Sequence, residues 1–117
     1  MKTILLFCSL IFGLIFTTKA QTSIDITGTW IVQVETDMGS GTPTFVLKQE
    51  GEKITGTYTG TFGTSEVTGT LKGEVLHLEI SIDGNTLRYD GTASATELKG
   101  KVDLAGMATG TFVGKKK

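Results

Sequence analysis

Ile54-Thr55-Gly56-Thr57-Tyr58-Thr59-Gly60-Thr61-Phe62 alternates threonine with a residue that is either large and apolar or glycine. In an extended chain, successive side chains point to opposite faces, so this segment carries one threonine face and one face of alternating small and large residues. The Thr-Gly-Thr unit recurs before Trp30 (Thr27-Gly28-Thr29), before Leu71 (Thr68-Gly69-Thr70) and before Phe112 (Thr109-Gly110-Thr111). A sheet built from such strands turns threonine to water and buries the other face. Glycines on the buried face relieve crowding where a sheet curves to close on itself.

Working outward, the chain shows no helical periodicity after Gln21, one proline (Pro43) and glycine every few residues. Short alternating runs between turn signals predict an all-β fold. Eight strands are expected: Gly28 to Thr36, Thr44 to Glu50, Ile54 to Phe62, Glu66 to Leu71, Val75 to Ile82, Thr86 to Ala93, Leu98 to Leu104 and Met107 to Val113. Residues 37–43 read as a loop. Asp83-Gly84-Asn85 is the strongest hairpin signal, because primed turns need positive φ and these residue types supply it. Every connection is short, so sequence neighbours should be antiparallel neighbours. The expected architecture is an eight-stranded antiparallel up-and-down β-barrel, with a two-sheet β-sandwich as the alternative.

Residues 1–20 read as a secretory signal peptide: a basic start at Lys2, an apolar run from Ile4 to Phe16, and a small residue, Ala20, at the cut. The run is shorter than the roughly 20 residues a membrane helix needs. The expected mature domain is residues 21–117, exported to the periplasm or beyond the cell. The only cysteine, Cys8, leaves with the signal, so a packed core must hold the domain without a disulfide. Loss of Lys2 and Lys19 leaves nine Lys and Arg against twelve Asp and Glu, a formal charge of −3. A nucleic-acid partner is not expected of such a chain.

The residues offer little for catalysis. His77 is the only histidine and alternates outward beside Glu79, and Ser40, Ser65 and Ser94 fall in turns. One histidine with scattered carboxylates does not make a zinc site, and Asp83-Gly84-Asn85 lacks the ligand spacing of a calcium loop. No glycine run sits between a strand and a helix to cradle phosphate. The chain is therefore expected to be neither an enzyme nor a cofactor carrier. Tyr58 and Tyr89 fall on the inward face, and a buried tyrosine hydroxyl needs a partner: another core group, a trapped water or a ligand.

An up-and-down meander sends alternate turns to opposite ends. One end gathers residues 50–53, 72–74 and 94–97, dense in Glu and Lys, with Trp30 just inside. The other gathers residues 37–43, 62–65, 83–85 and 104–107, which hold no Lys or Glu and carry Met38, Phe62 and Met107 among glycines. That end is the expected mouth, with Val34, Phe45, Tyr58 and Tyr89 below it as candidate ligand contacts. Trp30 is expected in the core, with Phe112 of the last strand brought near it by closure.

Gly28-Thr29-Trp30 at the start of the first strand resembles the Gly-x-Trp signature of lipocalins, and together with Thr55-Gly56-Thr57-Tyr58 it also resembles the opening of avidin-type barrels. With Gly41-Thr42-Pro43-Thr44-Phe45, Gln49-x-Gly51 and Val67-Thr68-Gly69-Thr70, the string is similar to small exported bacterial barrels of this calycin type. The resemblance implies a closed barrel. Lipocalins are longer and place an arginine over the tryptophan; the sole arginine here is Arg88 in mid-chain, so Lys115 is expected in that place. Avidins line their biotin site with several tryptophans, and this chain has one. The expected function is a binding module for an apolar or amphipathic small molecule. The alternative is a structural or accessory domain acting through its outer surface on a protein or glycan.

Overall fold

Tight turns set the meander. Asp83 and Gly84 sit at φ of 50° and 83°, two consecutive left-handed residues whose twist matches that of the strands they join. The computed structural model describes residues 24–117, so the expected signal segment and its cut after Ala20 lie outside the described residues. The strands are β1 (Gly28–Thr36), β2 (Gly39–Gly41), β3 (Thr44–Glu50), β4 (Lys53–Gly60), β5 (Gly63–Lys72), β6 (Val75–Ile82), β7 (Asn85–Ala93), β8 (Glu97–Leu104) and β9 (Ala108–Lys116). From β3 to β9 each strand pairs antiparallel with the next, β1 pairs with β3, and β9 returns to pair with β1. The sheet is thus a closed eight-stranded antiparallel barrel with β2 as an extra strand, and the sandwich alternative is excluded by the β1–β9 seam. No described helix is long and apolar enough to cross a membrane.

The extra strand corrects the loop expected at residues 37–43. Thr36 turns through Asp37 and Met38, and Gly39–Gly41 runs back along Val34 to Thr36. Lower on β1, residues Gly28 to Ile31 pair with β3 instead. The chain therefore leaves the wall at its upper end and makes a small flap before Pro43 brings it back, where the Pro43 carbonyl accepts the Val32 N–H at 3.0 Å.

Inward positions follow the alternation. Trp30, Phe45, Leu47, Ile54, Tyr58, Leu76, Leu78, Ile80, Tyr89, Leu98 and Phe112 are all at most 2% exposed, and no polar residue is fully buried among those described. Inward glycines let strands approach closely: a Cβ on Gly56, Gly69 or Gly110 would overlap a backbone carbonyl of the adjoining strand, Val46, His77 or Glu35 respectively.

The seam fixes a register that differs from expectation. Trp30 lies opposite Lys116, and Phe112 lies opposite Val34, further up the wall. β9 runs on past Val113, so counting by twos from Phe112 brings Gly114 and Lys116, not Lys115, to the Trp30 side. The Lys116 ammonium stands 5.8 Å from the centre of the Trp30 ring, while Lys115 faces outward and binds Glu97 at 2.8 Å. The lysine over the indole is therefore Lys116, a correction of parity. Gly28 makes this contact possible, since a Cβ there would come within 2.8 Å of the Lys116 Cε.

Below Trp30 the end is closed by residues 24–27. Ile26 is fully buried, and its carbonyl accepts the Trp30 indole N–H at 2.9 Å. Gln49 clasps this strap: its Oε1 accepts the Ile26 N–H at 2.9 Å, and its Nε2 donates to the Ile24 carbonyl at 2.8 Å. Gln49 sits at the foot of the inward face of β3, where a polar side chain is tolerated because its hydrogen bonds are made.

Candidate functional site

Phe45 on β3 and Tyr58 on β4 are directly paired across the ladder and meet edge to face, with ring centres 5.4 Å apart. Phe45 also meets Tyr89 of β7 at 5.2 Å, and Tyr89 meets Phe112 of β9 at 5.1 Å, both near perpendicular. Strands β3 and β7 are not neighbours in the wall, so these rings join across the lumen. The edge-to-face geometry is the favoured one for aromatic quadrupoles. The rings divide the barrel. Below them, aliphatic side chains and Trp30 fill the interior. Above them is a cavity of about 380 Å³.

The cavity is lined by Val34 and Thr36 at the top of β1, the β2 flap, Pro43, the Thr61-Phe62 turn, and Leu104, Met107 and Ala108 around the β8–β9 turn. Tyr58 and Tyr89 form its inner wall. Of the sequence-predicted ligand residues, Val34, Met38, Tyr58, Phe62, Tyr89 and Met107 are brought together around this one space. Phe45 is not in its lining; it lies beneath, supporting both tyrosine rings. The turn at residues 83–84 is at the same end and contributes nothing to the lining. Met38, Phe62 and Met107 are 73%, 50% and 60% exposed, so they form a rim and not a plug. Sequence reading placed residues 37–43 and 104–107 at this end without naming the β2 glycines or Leu104 as lining, and it missed Thr36, Thr61 and Ala108. A short Gly-Ser-Gly strand carries no hydrophobic alternation to reveal it.

The chemistry of the inner wall is that of two protonated phenols. Burial raises the Tyr89 hydroxyl above its ordinary pKa, and the neighbouring Tyr58 raises it further. Burial also raises Tyr58, offset in part by the nearby Phe62 backbone N–H. The Tyr58 hydroxyl fits because position 60 is glycine: a Cβ there would lie 2.6 Å from that oxygen and 2.9 Å from the Pro43 ring. No Asp, Glu, Lys, Arg or His lines the cavity.

Elsewhere, His77 is held on the outer wall by two carboxylates. Its Nδ1 meets Asp90 at 2.5 Å and its Nε2 meets Glu79 at 2.8 Å, while Arg88 stands 3.9 Å from Glu79. The Asp90 bond, then the Glu79 bond, raise the imidazole pKa. Both ring nitrogens are engaged. Among the described residues, no three His, Cys, Asp or Glu side chains converge to hold a metal. A hollow of about 540 Å³ at the lower end is mainly polar, walled by Asp25, Gln49 and Glu52 beside the strap. Ile24 and Leu71 are its apolar walls, too few beside the polar groups to hold a small molecule out of water.

A redesigned β-barrel, mFAP0, in a structure bound to DFHBI, is similar to this chain with a TM-score of 0.57 at 16% identity, over 78% of this chain and 98% of that one. At that identity the likeness is one of fold. No protein-family model matches the chain, and no curated protein matches it.

Proposed function

We propose that the protein is an exported, non-catalytic binding module that holds an apolar or amphipathic small molecule in the cavity at the mouth of the barrel. The observation that carries this reading is the cavity itself: about 380 Å³ of mainly apolar space above a filled core, with two tyrosines at its inner wall and two methionines and a phenylalanine at its rim. Small-molecule sites are concave, mostly apolar and furnished with a few polar groups, typically 300–1,000 Å³ in volume. Eight strands enclose only side chains or one small ligand, and here side chains fill the lower part. The barrel likeness to mFAP0, whose structure is bound to DFHBI, supports the same reading, as does the Gly28-Thr29-Trp30 resemblance to lipocalins. The engagement of both His77 nitrogens by carboxylates supports a role without catalysis.

Native mass spectrometry of protein purified from its own host tests the proposal, followed by binding of fatty alcohols and aromatic metabolites to the Met38→Asp and Met107→Asp variants. A retained adduct, with binding weakened at least tenfold by either aspartate, is expected. Protein that emerges without an adduct and binds nothing in the panel would favour the outer-surface reading instead.

A further inference from the structure

The inner wall of the cavity has hydrogen-bond donors and no cation. Tyr89 hydrogen-bonds to no described residue, yet no fully buried side-chain oxygen among those described lacks a partner. Its hydroxyl is therefore not sealed in the core but opens onto the cavity it lines. Tyr58 lines the same cavity, and burial keeps its hydroxyl protonated, so it too has an O–H to donate. Two O–H donors thus face a space walled by Val34, Leu104, Ala108 and Pro43.

Charge is excluded twice over. Inside, a carboxylate would meet no Lys, Arg or His, and burying an unpaired anion is far more costly than burying a neutral acceptor. The burial that raises both tyrosines also disfavours an anion beside them. At the rim, the turns carry Asp37, Asp83 and nearby Asp103 and no lysine or arginine. The Asp37 carboxylate accepts the Thr109 N–H across the β1–β9 seam at 3.3 Å, and the Asp103 carboxylate accepts the Gly106 N–H of its own turn at 2.8 Å.

We infer that the cavity selects an uncharged ligand bearing a carbonyl-type acceptor oxygen, seated inward against the Tyr89 hydroxyl, with its apolar body toward Met38, Phe62 and Met107. The inference rests on the binding function proposed above and specifies its ligand class. Free fatty acids and other carboxylates are excluded by it; ketones, amides, esters and neutral quinone-like rings are admitted.

Three benzene derivatives of similar size separate the possibilities in protein-detected NMR titrations: acetophenone, benzoate and ethylbenzene. Acetophenone should bind at least tenfold tighter than benzoate. In Tyr89→Phe, which keeps the ring and its edge contacts, acetophenone should weaken about tenfold, as loss of one hydrogen bond of about 1.4 kcal/mol implies, while ethylbenzene is unchanged. Benzoate binding as tightly as acetophenone, or Tyr89→Phe affecting acetophenone and ethylbenzene alike, would overturn the ligand class and leave the cavity a binding site. If none of the three perturbs resonances around the cavity, the binding function falls, and this inference with it.

Discussion

His77 shows how a surface residue acquires a physical consequence. Hydrogen bonds donated by its ring N–H groups to Asp90 and Glu79 raise the His77 pKa in the folded barrel above the unfolded value of about 6.5. A raised folded-state pKa contributes stability that is fully present below the unfolded value and lost as pH rises through the folded one. The melting temperature should therefore fall as pH climbs from about 6.5 upward, and His77→Gln should flatten that slope; equal slopes in the two proteins would refute it. Gly110 acts through space. A methyl group there would overlap the Glu35 carbonyl across the seam, so Gly110→Ala should cost about 1–3 kcal/mol or more in urea unfolding, by overpacking. Both positions were readable from alternation as to face, outward for His77 and inward for Gly110. What each touches across the sheet was not, because contacts depend on register.

At the scale of elements, the period-two pattern located the eight wall strands to within a few residues, since the pleat itself imposes it. β6 runs from Val75 to Ile82 as the alternation of Leu76, Leu78 and Ile80 requires. Three elements escaped. β2 has glycine at two of its three positions and so no pattern. The end of β9 is Gly-Lys-Lys, which reads as a solvated tail until Lys116 is seen over Trp30. The strap at residues 24–27 has too few residues to show a period and is held by the Gln49 side chain. Gln49→Ala would remove the partners of the Ile26 N–H and the Ile24 carbonyl together. A loss of about 1–3 kcal/mol is expected, with faster amide exchange at Ile26 and at the Trp30 indole. Unchanged indole exchange would show that the strap holds itself.

At the scale of the molecule, alternation decides which face is inside but not how far the last strand slides along the first. That is why closure was legible and the seam register was not: Phe112 meets Val34, four residues from Trp30. The mouth was legible because turn parity alone sorts the loops between ends, and the cavity unites three of the four turns at that end. Trp30 ties both closures together, packing under Lys116 and bonding to the strap. Trp30→Ala should cost roughly 3–5 kcal/mol, a large part of the 5–15 kcal/mol available to a domain, and thermal melts should show a largely unfolded protein. A melting temperature left unchanged would deny Trp30 that role.

The β1–β9 seam also sets when the molecule can exist. The Thr109 amide and the Asp37 carboxylate that meet there are 72 positions apart along the chain, so the first strand waits for the last. Until β9 arrives, β1 lacks its partner over most of its length, and the sheet has two open edges. A polypeptide still emerging from a ribosome therefore has no finished barrel. Assembly limited by such distant partners is slow for its size, on the order of milliseconds to seconds. Stopped-flow refolding from urea should show a phase in that range, and a chain halted at Gly106 should give the amide spectrum of an unfolded polymer. The same seam that makes the wall continuous thus defers closure until the last strand has been made.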